Sequence, residues 1–107
     1  MIGTTTRRPG ESATHLLEGV RFYNFATEAF EDVACDSGYP KLTVTDPAGT
    51  VKVTAQPMTL VGTNDYIYKH DILADAAKGF WLCDAEMRYT TGGNTYIEHE
   101  VWGFDVI

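Results

Sequence analysis

The clearest signal along the chain is alternation. Leu42, Val44, Val51 and Val53 alternate with Thr43, Thr45, Thr50, Lys52 and Thr54, the period-two pattern of strands that turn one face inward. Between the two runs, Asp46-Pro47-Ala48-Gly49 predicts a tight reversal. Pro47 presets φ at the second turn position, the Asp46 side chain can accept from the backbone ahead of it, and Gly49 supplies a left-handed residue. A further strand places Tyr66, Tyr68, His70 and Ile72 on one face and Ile67, Lys69, Asp71 and Leu73 on the other. From Phe80 to Tyr89 the alternation is strongest: Trp81, Cys83, Ala85, Met87 and Tyr89 face in, and Leu82, Asp84, Glu86 and Arg88 face out. Thr91-Gly92-Gly93-Asn94 predicts a hairpin loop, so the last strand, 95–106, runs antiparallel to its predecessor. In that strand Ile97 and Val101 are apolar at odd positions and Trp102, Phe104 and Val106 at even ones. This predicts a bulge at Gly103 that shifts the register by one residue.

The first third of the chain is less regular. Residues 14–25 carry Leu16, Leu17, Val20, Phe22, Tyr23 and Phe25 and predict a strand interrupted near Gly19, while residues 26–35 read as strand or turn. Residues 1–13 are polar, with three consecutive threonines, Arg7, Arg8 and a Pro9-Gly10 pair; they predict a flexible, extended arm. The count is about seven strands and no helix of ordinary length, the pattern of a single antiparallel β-sandwich over residues 14–107.

Composition narrows this picture. At 107 residues, 44% hydrophobic and 12% aromatic, the chain suits one domain able to bury its own core. Eight Lys and Arg against fifteen Asp and Glu give a net charge of -7, a field that repels polyanions and argues against nucleic acid as a partner. No apolar run follows Arg7 and Arg8 or occurs elsewhere, so neither a secretory signal nor a membrane span is expected, and synthesis in the cytoplasm is. Cys35 and Cys83 are too few for a disulfide framework and are expected as free, buried thiols.

Three stretches, LTVTDPAGTVKV (42–53), YIYKHDI (66–72) and LADAAKGFWLCDAEMRY (73–89), are followed by a hairpin and a final strand. Together they resemble immunoglobulin-like domains of tailed-bacteriophage virion proteins, such as tail, baseplate, neck and head-decoration components. The resemblance covers residues 40–106. It implies an immunoglobulin-like sandwich in the virion, made in the host cytoplasm and assembled as a homo-oligomer with copies of itself and other virion proteins. The chain departs from antibody-type domains, since Trp81 precedes Cys83 by two residues and no Trp follows Cys35 at strand spacing.

Candidate chemistry is sparse. His70-Asp71 and Glu98-His99-Glu100 are the only clusters of ligand-type residues, and cross-strand pairing could bring the two histidines together. Zinc wants three or four ligands in fixed geometry, and alternation sets Glu98 and Glu100 on the face opposite His99, so no metal or other cofactor is expected. Ser12 and Ser37 read as turn residues without a nucleophile elbow, and Cys83 points inward, where a thiol is inert. Glu31-Asp32 and Asp84 with Glu86 imitate a paired-carboxylate site but read as solvated acids.

The expected function is therefore non-enzymatic: a virion structural protein of the tail, neck or capsid that acts through protein–protein contacts, with Arg7 and Arg8 of the arm and Tyr96, Trp102 and Phe104 of the last strand as interface residues. The alternative is a carbohydrate-binding or adhesin-type module that recognises glycans through Tyr and Trp.

Overall fold

A computed structural model describes residues 5–107. Among them there is no helix, and none therefore long and apolar enough to cross a membrane. The regular structure consists of strands β1 (Thr5–Arg7), β2 (Ser12–Leu17), β3 (Arg21–Asn24), β4 (Ala29–Asp32), β5 (Lys41–Thr45), β6 (Val51–Pro57), β7 (Thr59–Leu60), β8 (Tyr66–Asp71), β9 (Gly79–Thr91) and β10 (Asn94–Val106). They form a five-stranded sheet in the order β1-β10-β9-β5-β6, a three-stranded sheet β2-β8-β7, and the separate hairpin β3-β4. Every pairing is antiparallel except that of β1 with β10.

The predicted turns are present. Gly49 is left-handed at φ +86, and the Asp46 carboxylate accepts the backbone N–H groups of Ala48 at 3.0 Å and Thr50 at 2.9 Å. Gly92 and Gly93, at φ +55 and +78, close the β9–β10 hairpin. Each of those two strands has 13 residues, or about 44 Å at 3.4 Å per residue, and they set the 48 Å long axis of the molecule.

One core is drawn from both main sheets. Ala13 and Leu17 of β2 and Tyr66 of β8 meet Leu42, Val44, Trp81, Cys83, Ala85, Met87, Trp102, Phe104 and Val106 of the large sheet. The inward residues of β9 are those the alternation predicted. In β10, however, no bulge occurs: the register runs unbroken from Asn94↔Thr91 to Val106↔Gly79. Even positions face inward throughout, and Ile97 and Val101 lie outside, 56% and 50% exposed.

Gly103 serves a different purpose from a bulge. A Cβ there would sit 2.0 Å from Cζ of Phe80, so the missing side chain lets that ring lie flat on the outer face of the sheet. Gly103→Ala is expected to cost roughly 1 kcal/mol in the wild-type background, by lifting the ring. It should be neutral or stabilising in a Phe80→Ala background, where only glycine's backbone entropy remains at issue. Urea denaturation of the four proteins of this cycle measures both.

The N-terminal region also differs from the expected free arm. From Thr5 on it is built into the sheets: β1 adds in parallel to the end of β10, Ile107 N–H donates to Arg7 O at 2.9 Å, and Ser12 and Ala13 open β2. Backbone hydrogen bonds hold this polar stretch, with Gly10 N–H to Ile72 O and Ile72 N–H to Glu11 O, each 2.7 Å. Residues 1–4 of the predicted arm lie outside the described residues. The predicted 14–25 strand is two strands, because left-handed Gly19, at φ +64, sends β2 to one sheet and β3 to the separate hairpin.

Candidate functional site

The β3–β4 hairpin places a cluster of aromatic side chains in water. Its turn is shaped by Asn24, whose Oδ1 accepts the backbone N–H of Ala26 at 2.8 Å, an Asx turn. Alternation then divides the ring-bearing residues between two faces. Phe22, 1% exposed, packs inward and stacks on Tyr89 of β9 at 5.4 Å, anchoring the hairpin near the far end of the large sheet. On the other face Tyr23 meets Phe25 and Phe30 edge-on at 4.9 and 5.2 Å, and Phe25 reaches Tyr96 of β10 at 6.4 Å. The Arg21 guanidinium lies 4.7 Å over the Phe30 ring. Phe25 and Phe30 are 72% and 56% exposed, which forgoes much of the 1.5–3 kcal/mol or so that burying each Phe contributes. Rigid aromatics beside an arginine are the composition of protein-binding hot spots.

A second apolar zone lies on the outer face of the large sheet, where Phe80, Leu82 and Val101 are half exposed. Beside it His99 Nδ1 pairs with Asp84 Oδ1 at 2.7 Å, and this hydrogen bond raises the His99 pKa.

Among the described residues His99 lies in surroundings separate from those of His15 and His70. His70 and His99 are far apart in their roles: His99 is on the outer face with Asp84, whereas His70 packs inward between His15 and Trp81, ring centroids 6.0 Å from each. Buried His15 accepts from Trp102 Nε1 at its Nδ1, 3.2 Å away, which places its own proton on Nε2. Among the described residues neither that Nε2 nor His70 Nδ1 has a hydrogen-bond partner. Burial, then the nearby His70 and Arg7, pushes the His15 pKa down to about 4. Among the described residues no three His, Cys, Asp or Glu side chains are placed to hold a metal ion. Cys35 and Cys83 are free, and burial pushes the Cys83 thiol up to about 12. Ser12 opens β2 rather than lying in a turn, and its hydroxyl donates to Asp71 at 2.9 Å.

Of the expected interface residues, Tyr96 joins the aromatic surface. Trp102 and Phe104 do not: at 6% and 2% exposed they are core, because the unbroken register of β10 keeps them inward. Arg7 is half-buried on β1 and Arg8 is exposed beside Glu11, which accepts its backbone N–H at 2.6 Å. Arg21, Tyr23, Phe25 and Phe30 were not among the expected interface residues. Their signal was the run RFYNFATEAF (21–30), in which an Asx-turn residue separates aromatic positions able to pair across a hairpin. No family model matches the chain, and no curated protein or solved structure is detectably similar to it.

Proposed function

We propose that this chain is a non-enzymatic structural protein of a tailed-bacteriophage virion, an immunoglobulin-like β-sandwich that assembles with copies of itself and with other proteins of the tail, neck or capsid. The observation that carries the assembly part is the surface of exposed Phe25 and Phe30, flanked by half-buried Tyr23 and Tyr96, with Arg21 at its margin. Two main sheets around one core support the sandwich reading, and the resemblance of residues 40–106 supports the virion setting. The glycan-binding alternative loses its tryptophans, since Trp81 and Trp102 are 3% and 6% exposed and offer no free face to a sugar ring.

Sedimentation velocity over a concentration series tests this reading. The wild-type chain is expected to self-associate, and Phe25→Ser with Phe30→Ser to weaken that association by roughly tenfold or more, as loss of hot-spot aromatics does. The thermal midpoint should stay close to that of the wild type, since both side chains are already in water. Self-association unaffected by the double change, or a wild-type chain that stays monomeric at every concentration, would defeat the proposal for this surface.

A further inference from the structure

We infer that the edge of β10 left unpaired among the described residues is a strand-addition site for an extended segment of a partner protein, one with Lys or Arg at alternate positions and apolar residues between them. The inference extends the assembly reading by naming the chemistry of a partner. On one side β10 is paired with β9 along all 13 residues; on the other, β1 pairs only with Phe104, Asp105 and Val106. Among the described residues none pairs with Asn94–Gly103 along that edge. A row of backbone N–H and C=O groups is a template for a further strand unless something blocks it, and β1 shows that this edge accepts one.

The two faces of the edge set what the added strand must carry. On the inner side the edge borders an open cleft of about 400 Å³ between β10 and the Leu17–Arg21 segment. Glu98 and Glu100 of β10 and Glu18 line it together with Leu17 and Met87, and Phe30 and Arg21, its one cation, are shared with the aromatic surface. On the outer side Ile97 and Val101 are half exposed. Side chains of an added strand alternate between these faces, so cations would meet the glutamates while apolar residues cover Ile97 and Val101. A second β10 is disfavoured in the registers that centre the pairing on the glutamates. Antiparallel self-pairing centred on Glu98, His99 or Glu100 sets glutamates directly opposite one another on the same face, which is destabilising.

Fluorescence anisotropy with three labelled peptides tests this: alternating TKVKVKT, its scramble TKKVVKT, and the acidic TEVEVET. The alternating peptide is expected to bind the intact chain at least about tenfold more tightly than either control, and less tightly as NaCl rises from about 50 to about 500 mM. Amide shifts in NMR should concentrate between Asn94 and Val101. Glu98→Lys with Glu100→Lys is expected to weaken binding by about tenfold, and Ile97→Lys, on the other face, to weaken it too. Circular dichroism checks that these surface variants fold. Equal binding of the alternating and scrambled peptides, shifts mapping elsewhere, or full affinity in the glutamate variant would overturn the inference. Self-association is read by sedimentation velocity and peptide binding by anisotropy, so failure of the aromatic surface and failure of this edge are read separately.

Discussion

Phe104→Ala is expected to destabilise the isolated chain by about 3–5 kcal/mol, the usual cost of deleting a fully buried aromatic ring. Phe104 is 2% exposed and sits among rings: Trp81 stacks on it at 5.7 Å, His15 lies at 5.7 Å and His70 at 6.3 Å. These neighbours come from β9, β2 and β8, so the side chain ties the two main sheets together. Its removal leaves a cavity that two hydrogen-bonded layers cannot easily close. Urea unfolding followed by tryptophan fluorescence would show the midpoint falling sharply. An interface residue would behave in the opposite way, with monomer stability unchanged and assembly weakened. A loss below about 1 kcal/mol would therefore contradict the core assignment.

The second large effect is expected in acid. The His15 pKa is pushed from 6.5 down to about 4, first by burial and then by His70 and Arg7. A buried group that resists protonation makes the unfolded chain the better proton acceptor. The His15 contribution is thus fully present above about pH 6.5 and is lost progressively as pH falls to about 4, a difference of about 3 kcal/mol. His70, whose pKa is also lowered by burial, acts in the same direction. His15→Gln keeps an acceptor for Trp102 Nε1–H and cannot titrate. Its stability, followed by urea unfolding from pH 7 to pH 4, should fall less steeply than that of the wild type. Parallel curves for the two proteins would exclude His15 as the source of acid sensitivity.

Some of this fold was legible because single residues act on their nearest neighbours. Pro47 and Gly49 specify their turn without reference to the rest of the chain, as do Gly92 and Gly93, and the side-chain alternation of β9 needs only the knowledge that one face is buried. What failed to show depends on distant partners. Ile97 and Val101 look like core by hydropathy, yet they lie on an outer face that carries apolar residues of its own. Gly103 looks like a bulge until Phe80, 23 residues earlier in the chain, is seen to occupy the space above it. The arm looked unstructured because its side chains have little to bury, whereas β1 is held through backbone groups that composition does not reveal. The aromatic surface went unseen for a related reason: Phe22, Tyr23, Phe25 and Phe30 are alike in hydropathy, and only the hairpin geometry sends one inward and the others out.

The parallel β1–β10 pairing joins Thr5 to Phe104, almost the full span of the chain, and it bears on the order of events in folding. Hairpins β3–β4, β5–β6 and β9–β10 can close as soon as their own residues are available, since each needs only a short loop. The second sheet needs β2 to find β8, with Ser12 opposite Asp71. β1 has no seat until β10 has been synthesised and has settled on β9. Contacts this far apart in sequence place the protein among slow-folding topologies. During synthesis on the ribosome, the segment that contains Arg7 waits for its partner longer than any other described strand, and through that interval it stands open to whatever acidic surface lies nearby.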